Sequence, residues 1–462
     1  MTVRVKISKV KKQKLSKSIS EKVSDTYDFH GVHFRESISK LLKNGRYEEI
    51  IDLTESFLLK YPMERRYVIS AYNKFQVLIA GSKFGREIAR LYVETSNKIL
   101  DIGTNLYGLP PMFEEYWAFS RFGELIEQTA FVHFMKQLNP GGQRPVICLS
   151  PGTKIINTAF VPYMVDNFDV VTDPKEVAHI QSIKHLAPYP TFFYKFSETQ
   201  YGHTSLFLSD IYKTLSEKKI NQIPFKLKEV TTERALNFLK TVNVNDHDNF
   251  VVLHLREDGF VTGADHHKLR NSNPLDYMEA IKWLCSSGFK VIRIGHEHMT
   301  PLPQISGLID LTASSRPPEV DIYLCAQAKF YYGSLSGPVG LTAHFGVPRL
   351  LTNVNYYSFN YPGALIQLAP VVDEKTQRFL NIKEIEGLGL STVTAYEPFE
   401  RNNLSVRFRT SEDHVRSVKE MVEYLEGGNI YKLNQDRKQC DLGPKMLSDY
   451  TSDSFDMLDL AK

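Results

Sequence analysis

Four polar clusters stand directly after four apolar runs in the second half of the chain. Arg256-Glu257-Asp258-Gly259 follows FVVLHL, and Gly295-His296-Glu297-His298 follows KVIRI. Gly333-Ser334-Leu335-Ser336-Gly337-Pro338 follows KFYY, and Asn353 and Asn355 follow RLLT. The third cluster carries the sharpest chemistry. A loop of small residues that opens onto a helix lets backbone N–H groups approach an anion, and the helix end adds about half a positive charge. Gly333, Ser334, Ser336 and Gly337 make such a loop, with neither the GxxxxGK[ST] spacing nor a GxGxxG fingerprint. The bland alternative is a tight strand-to-helix turn with Pro338 in the first turn.

Arg256, at the end of an apolar run, could hold a diphosphate bidentately and stabilise charge on a departing group. Its alternative is a salt bridge to Glu257, Asp258 or a carboxylate elsewhere. His254 and His296 are candidates for contact with phosphate or base, or for carrying a proton, although a lone strand histidine is more often a satisfied core residue. Arg270 and Asn271 end the stretch HHKLRN, which could cover a ligand or simply cap the helix after Pro274. No metal is expected. His296-Glu297-His298 lacks HExxH spacing, and Asp246-His247-Asp248 stands before an apolar run, where a polar turn is the natural reading.

These clusters need a sheet to bring them together. FVVLHL (250–255) reads as a buried strand because its β-branched residues do not alternate with polar ones. PLDYMEAIKWLCSSG places Leu275, Met278, Ile281 and Leu284 at helical spacing. FKVIRIG, GLIDLT, KFYYG and VPRLLTN read as further strands, with EVDIYLCAQA and PVGLTAHFG as helices. Alternation of this kind predicts a doubly wound α/β domain, in which ligands bind beyond the carboxyl ends of the strands. Upstream, RFGELIEQTAFVHFMKQLN and FVPYMVDNF read as helices and PVICL and FDVV as strands, which predicts a second parallel sheet. TNLYGLPPMF reads as a boundary loop. Residues 31–107 read as helices, the first two broken at Gly45 and closed by Pro62, and this pair resembles a single tetratricopeptide-type unit.

The chain has 462 residues and a formal net charge of +3, with 42% hydrophobic and 24% charged residues. That balance suits large globular cores and argues against a nucleic-acid partner. Residues 1–22 carry eight Lys or Arg against one acid, Glu21. The segment 1–30 is read as a disordered basic tail, with contact to an anionic membrane surface as the alternative. Residues 436–462 are read as an acidic tail. No apolar run is long enough for a signal peptide or a membrane span. Cys148, Cys285, Cys325 and Cys440 stand far apart with no CxxC pair, so neither a disulfide framework nor a zinc knuckle is expected and the compartment reads as reducing.

The motifs HLREDGF (His254–Phe260), Arg270-Asn271, GFKVIRIG, Asp321 with Leu324, GSLSGP and FGVPRLLTN occur in order. Together they resemble a family of bacterial glycosyltransferases found with surface-polysaccharide and lipopolysaccharide genes, over roughly residues 115–430. RFGELI resembles that family's RIGHL opening, with Glu124 where the family has His. His254 with Arg256 also resembles, more distantly, the HxR motif of fucosyltransferases. The resemblance implies two Rossmann-like doubly wound domains of GT-B type: residues 111–235 for the acceptor and 236–435 for the nucleotide-sugar, after a helical extension over 31–110. It implies a cytoplasmic or inner-membrane-peripheral enzyme with a nucleotide-sugar donor and a glycan or lipid-linked glycan acceptor; the helical extension lies outside the resemblance and reads as packing material or a dock for a protein partner. Arg256 and the loop around Ser334, Ser336 and Gly337 would hold the phosphates, with Gly295, His296 and Asn353 near the nucleotide. Inverting transfer needs a base for the acceptor hydroxyl. Glu257, Asp258 and Glu124 are the candidates, each with a structural alternative. The competing readings are an inactive interaction protein on the same scaffold, and a transferase of another group, such as pyruvyl, to polysaccharide.

Overall fold

The computed structural model describes residues 31–41, 44, 46–62, 67–68, 87–88, 90–91, 94–95, 112–113, 122–138, 144–149, 155–183, 193–195, 201–203, 215, 218–221, 223–258, 265–355, 363–388, 390, 393 and 395–427. Both expected tails, Cys440 and most of the expected boundary loop lie outside them. The chain forms two compact units, one from Met1–Tyr116, Met135–Lys154 and Met164–Asp210, the other from Trp117–Phe134, Ile155–Tyr163 and Ile211–Lys462.

In the first unit, residues 31–41 are helical and a second helix runs Tyr47–Lys60. The Arg46 N–H returns to the Leu41 carbonyl at 3.0 Å and closes the turn between them. Phe34 stacks on Phe57 with 4.2 Å between ring centroids, and Ile38, Ile50 and Leu58 are buried with them. Strands β1 (Met112–Phe113), β2 (Val146–Cys148) and β3 (Asp169–Val171) make a parallel sheet in that order. Its core is Val146, Cys148, Val171, Val177 and Ile180. β1 lies inside the stretch read as loop: pairing of Met112 with Val146 outweighs the local signal of the two prolines before it. β4 (Phe193–Lys195) and β5 (Tyr201–His203) form an antiparallel pair.

The second unit is built on six parallel strands: β6 (Phe250–His254), β7 (Lys290–Arg293), β8 (Leu308–Asp310), β9 (Phe330–Gly333), β10 (Arg349–Val354) and β11 (Ala364–Leu368). Their order is β11-β10-β9-β6-β7-β8. The chain therefore moves outward from β6 to β8, then returns to lay β9 on the other side of β6. That reversal is the topological switch point of a Rossmann sheet. β6, β9, β10 and β11 are buried along their whole length, which explains their lack of alternation.

Helices Met278–Ser286 and Ser411–Glu426 cover one face, packing Ile281, Leu284, Val418 and Met421 against Val251, Leu253, Phe330 and Leu350. The second of these starts with a capping box between Thr410 and Asp413. Glu229–Thr241 packs on Glu319–Gln327, with Arg234 paired to Glu319 at 2.7 Å. A small antiparallel pair, β12 (Val371–Asp373) with β13 (Leu404–Val406), precedes the last helix. Cys148, Cys285 and Cys325 are free thiols. No helix among the described residues is long and apolar enough to cross a membrane.

Candidate functional site

The switch point sets the carboxyl ends of β6 and β9 side by side, with His254 in register with Gly333. Gly333 has φ +145°, and a Cβ there would stand 2.0 Å from the His254 carbonyl oxygen. Only glycine allows that approach. It lets the Ser334 N–H donate back to the His254 carbonyl (3.2 Å) while the Arg256 N–H donates to Ser334 Oγ (2.7 Å). Arg256 and the small-residue loop are thus stitched into one rim. Ser336 then takes an extended conformation (φ −158°, ψ 176°) and the helix Gly337–His344 begins, with Pro338 in its first turn. Ser336 Oγ lies 3.0 Å from His254 Nδ1. Burial first, then the charge of Arg293, depresses the His254 pKa to about 3, so its imidazole is neutral.

The Arg256 guanidinium is half-buried and donates to Asn271 Oδ1. Asn271 in turn donates to Asp258 Oδ1 at 2.6 Å. Burial lowers the Arg256 pKa from its ordinary value, opposed by the charge of Asp258, so an anion against this guanidinium recovers lost solvation. Arg270 comes from a short helix, Asp265–Arg270, and grips the loop from the side, with Nε and Nη2 at 3.2 and 2.9 Å from the Leu335 carbonyl.

Glu257 points into a different neighbourhood. Its carboxylate takes Arg293 Nη2 at 2.6 Å, the Thr300 N–H at 2.9 Å and the Thr300 hydroxyl at 2.5 Å. Arg293 is wholly inaccessible to solvent and also meets Asp310 (3.0 Å) and the Thr300 carbonyl (2.6 Å). Burial alone would raise the Asp310 pKa, but hydrogen bonds from Thr312 and the charge of Arg293 hold it below the ordinary value. Gly295 and His296 sit on the loop this network pins, and Arg316 bonds the Gly295 carbonyl at 2.9 Å. Burial, then the proximity of His298, lowers the His296 pKa. Glu297 and His298 are exposed.

Asn353 stands in the left-handed region, φ 53°. Its side chain turns to the Arg409 N–H (2.8 Å) and the Tyr277 hydroxyl (3.4 Å) rather than to the Arg256 rim. Asn355 is fully buried beyond it. Asp248, before β6, holds Lys290 at 2.6 Å and the Asn245 N–H at 2.7 Å, and so closes a turn. Among the described residues no group of three or more His, Cys, Asp or Glu side chains could hold a metal ion.

Glu124 comes from far away in sequence. It lies in the first turn of helix Phe122–Leu138, whose Gly123 abuts Gly337. A Cβ on Gly123 would stand 3.1 Å from Gly337 Cα, and one on Gly337 would stand 3.2 Å from the Gly123 nitrogen. Further along, His344 Nε2 meets Glu127 Oε2 at 3.3 Å and the His344 ring contacts Phe134. The starts of the two helices thus meet at Gly123 and Gly337.

Among solved structures the chain is similar to a family 9 glycosyl transferase from Veillonella parvula, with 13% identity and a TM-score of 0.33 over 54% of this chain and 83% of that one. It is similar to the ADP-heptose lipopolysaccharide heptosyltransferase II of E. coli, with 10% identity and a TM-score of 0.33 over 52% and 82%. A third is the E. coli heptosyltransferase WaaC with ADP, with 12% identity and a TM-score of 0.29 over 57% and 91%. No protein-family model matches the chain, and no curated protein matches it.

Sequence reasoning passed over Arg293, Thr300, Asp310 and Tyr331. Arg293 left a signal, since a charge inside KVIRI must be paired once buried. Tyr331 left none. It reads as one more aromatic in KFYYG, yet its hydroxyl donates to the Ser334 carbonyl at 2.9 Å and lies 3.1 Å from Ser336 Oγ.

Proposed function

We propose that this chain is a GT-B-type glycosyltransferase that takes a sugar from a nucleotide-sugar held on its second unit. It passes the sugar, without a metal ion, to a surface glycan or lipid-linked glycan. One observation carries the reading: at the switch point, a half-buried arginine is hydrogen-bonded through its own N–H to a serine–glycine loop that opens a helix. This is the place and the chemistry for a nucleoside diphosphate. The order of motifs from HLREDGF to FGVPRLLTN supports the same reading.

In this mechanism Arg256, steadied by Asn271, and the N–H groups of Ser336 and Gly337 take up the charge that grows on the departing diphosphate. They supply the positive potential that a cation gives in metal-dependent transferases. Gly295 and His296 line the nucleoside side on a loop that Arg316 and Glu257 pin at its two ends. For the base we favour Glu124. Both Glu257 oxygens are engaged by Arg293 and Thr300, and Asp258 accepts from Asn271. Glu124 follows Gly123, which abuts Gly337 at the start of helix Phe122–Leu138.

Thermal denaturation of the full chain with UDP, GDP, ADP and CMP tests the reading. One nucleotide is expected to raise the melting temperature, and an excess of EDTA to leave that shift intact. A melt unmoved by all four would leave an interaction protein as the better description. Mass analysis of the product then separates a transferred sugar from another group, such as pyruvyl.

A further inference from the structure

Within one peptide unit the C=O and N–H point in opposite directions, because the bond is planar and trans. Whatever holds a carbonyl therefore aims the next residue's N–H. Three successive carbonyls of the β9 loop are held in this way. The Thr352 hydroxyl meets the Gly333 carbonyl at 3.3 Å, the Tyr331 hydroxyl meets the Ser334 carbonyl at 2.9 Å, and Arg270 meets the Leu335 carbonyl through two nitrogens. The first hold directs the Ser334 N–H to the His254 carbonyl, inside the sheet. The second and third act on the N–H groups of Leu335 and Ser336. Among the described residues those two, and the N–H of Gly337, donate no hydrogen bond.

We infer that Tyr331 and Arg270 are positioning residues. By fixing the Ser334 and Leu335 carbonyls they turn the N–H groups of Leu335 and Ser336 outward as a preformed cradle for the diphosphate of the donor. The inference rests on the donor-site reading above and deepens it. Tyr331 is fully buried, so it acts through the loop it holds. Its hydroxyl also braces Ser336 Oγ, which fixes the residue where the strand's exit becomes a helix. Arg270 spends its Nε and Nη2 on the Leu335 carbonyl, which assigns it to the loop's geometry. Concave arrays of successive N–H groups recognise phosphate in this way, and they need their peptide planes held.

Tyr332 supplies a matched control. It is the next residue, it is equally buried, and its hydroxyl has no hydrogen-bond partner among the described residues. Calorimetric titration should compare the nucleoside diphosphate that wild type binds with its parent nucleoside. Tyr331→Phe should weaken diphosphate binding about tenfold, the worth of one misdirected hydrogen bond to an anion, and leave nucleoside binding unchanged. Tyr332→Phe should change neither. Arg270→Lys, which keeps the charge but loses the fork, should repeat the selective loss. Equal loss for diphosphate and nucleoside, equal effects at Tyr331 and Tyr332, or wild-type affinity in both Tyr331→Phe and Arg270→Lys overturns the inference while the donor site stands. A wild type that binds no nucleoside diphosphate overturns both.

Discussion

Two stretches of the same sheet edge handle charge in opposite ways. At the ends of β7 and β8 a fully buried guanidinium, Arg293, is paired from within through its two terminal nitrogens by Glu257, Asp310 and the Thr300 carbonyl. At the ends of β6 and β9 the polar groups are arranged at a rim, with backbone N–H groups set at a helix start and Arg256 half-buried beside them. Adjacent residues of one chain, Arg256 and Glu257, serve the two regions. The difference teaches that charge at the carboxyl edge can be used in two ways: a closed network fixes loops, and on the proposed function the rim is kept for an outside anion.

The comparison breaks most visibly at the closed network. Glu257→Ala leaves Arg293 a buried, under-compensated charge and should cost about 3–5 kcal/mol of stability, read as a lowered denaturant midpoint. A midpoint equal to wild type would place Glu257 outside the fold's supports and reopen its case as a base. Arg256→Ala should do the reverse, lowering nucleotide-sugar turnover by about 10²–10³-fold with the thermal midpoint retained. Unchanged turnover removes the donor-site assignment.

A subtler probe is acid. Burial holds the His414 pKa down to about 4, against an ordinary 6.5, and His254 lies lower still. The unfolded chain therefore takes up protons near pH 6.5 that the folded chain refuses until pH 4. Stability is fully present above 6.5 and declines as the pH falls, by at most about 1.4 kcal/mol per unit for each histidine. His414→Phe, which keeps an aromatic ring on Tyr277, should flatten that decline between pH 6.5 and 4.5 in thermal melts. An unaltered slope would mean that His414 titrates normally.

Much of the second unit was legible because buried parallel strands leave unalternating β-branched runs. FVVLHL, KVIRI, KFYY and RLLT became β6, β7, β9 and β10, with ends within two residues of those expected. β11 was not read, since ALIQL is short and carries Gln367, whose amide donates to Ser417 Oγ at 2.8 Å on a helix distant in sequence. The capping box of helix Ser411–Glu426 stood in plain view as TSED and went unused. At the site, residue types and strand ends placed Arg256 and the serine–glycine loop on one rim. They could not give the contact between Gly123 and Gly337, because nothing local in either segment names its partner. Nor could they give the direction of Asn353, which depends on the Arg409 backbone.

That pairing of glycines bears on how the molecule can be dissected. Trp117–Phe134 and Ile155–Tyr163 belong with Ile211–Lys462. An expression fragment started at residue 211 would therefore strip His344 of Glu127 and bare the aromatic faces of Phe225 and Phe345, where Tyr163 now sits. The second unit of this chain is not a contiguous cassette, and moving it into another protein requires carrying two upstream excursions along with it.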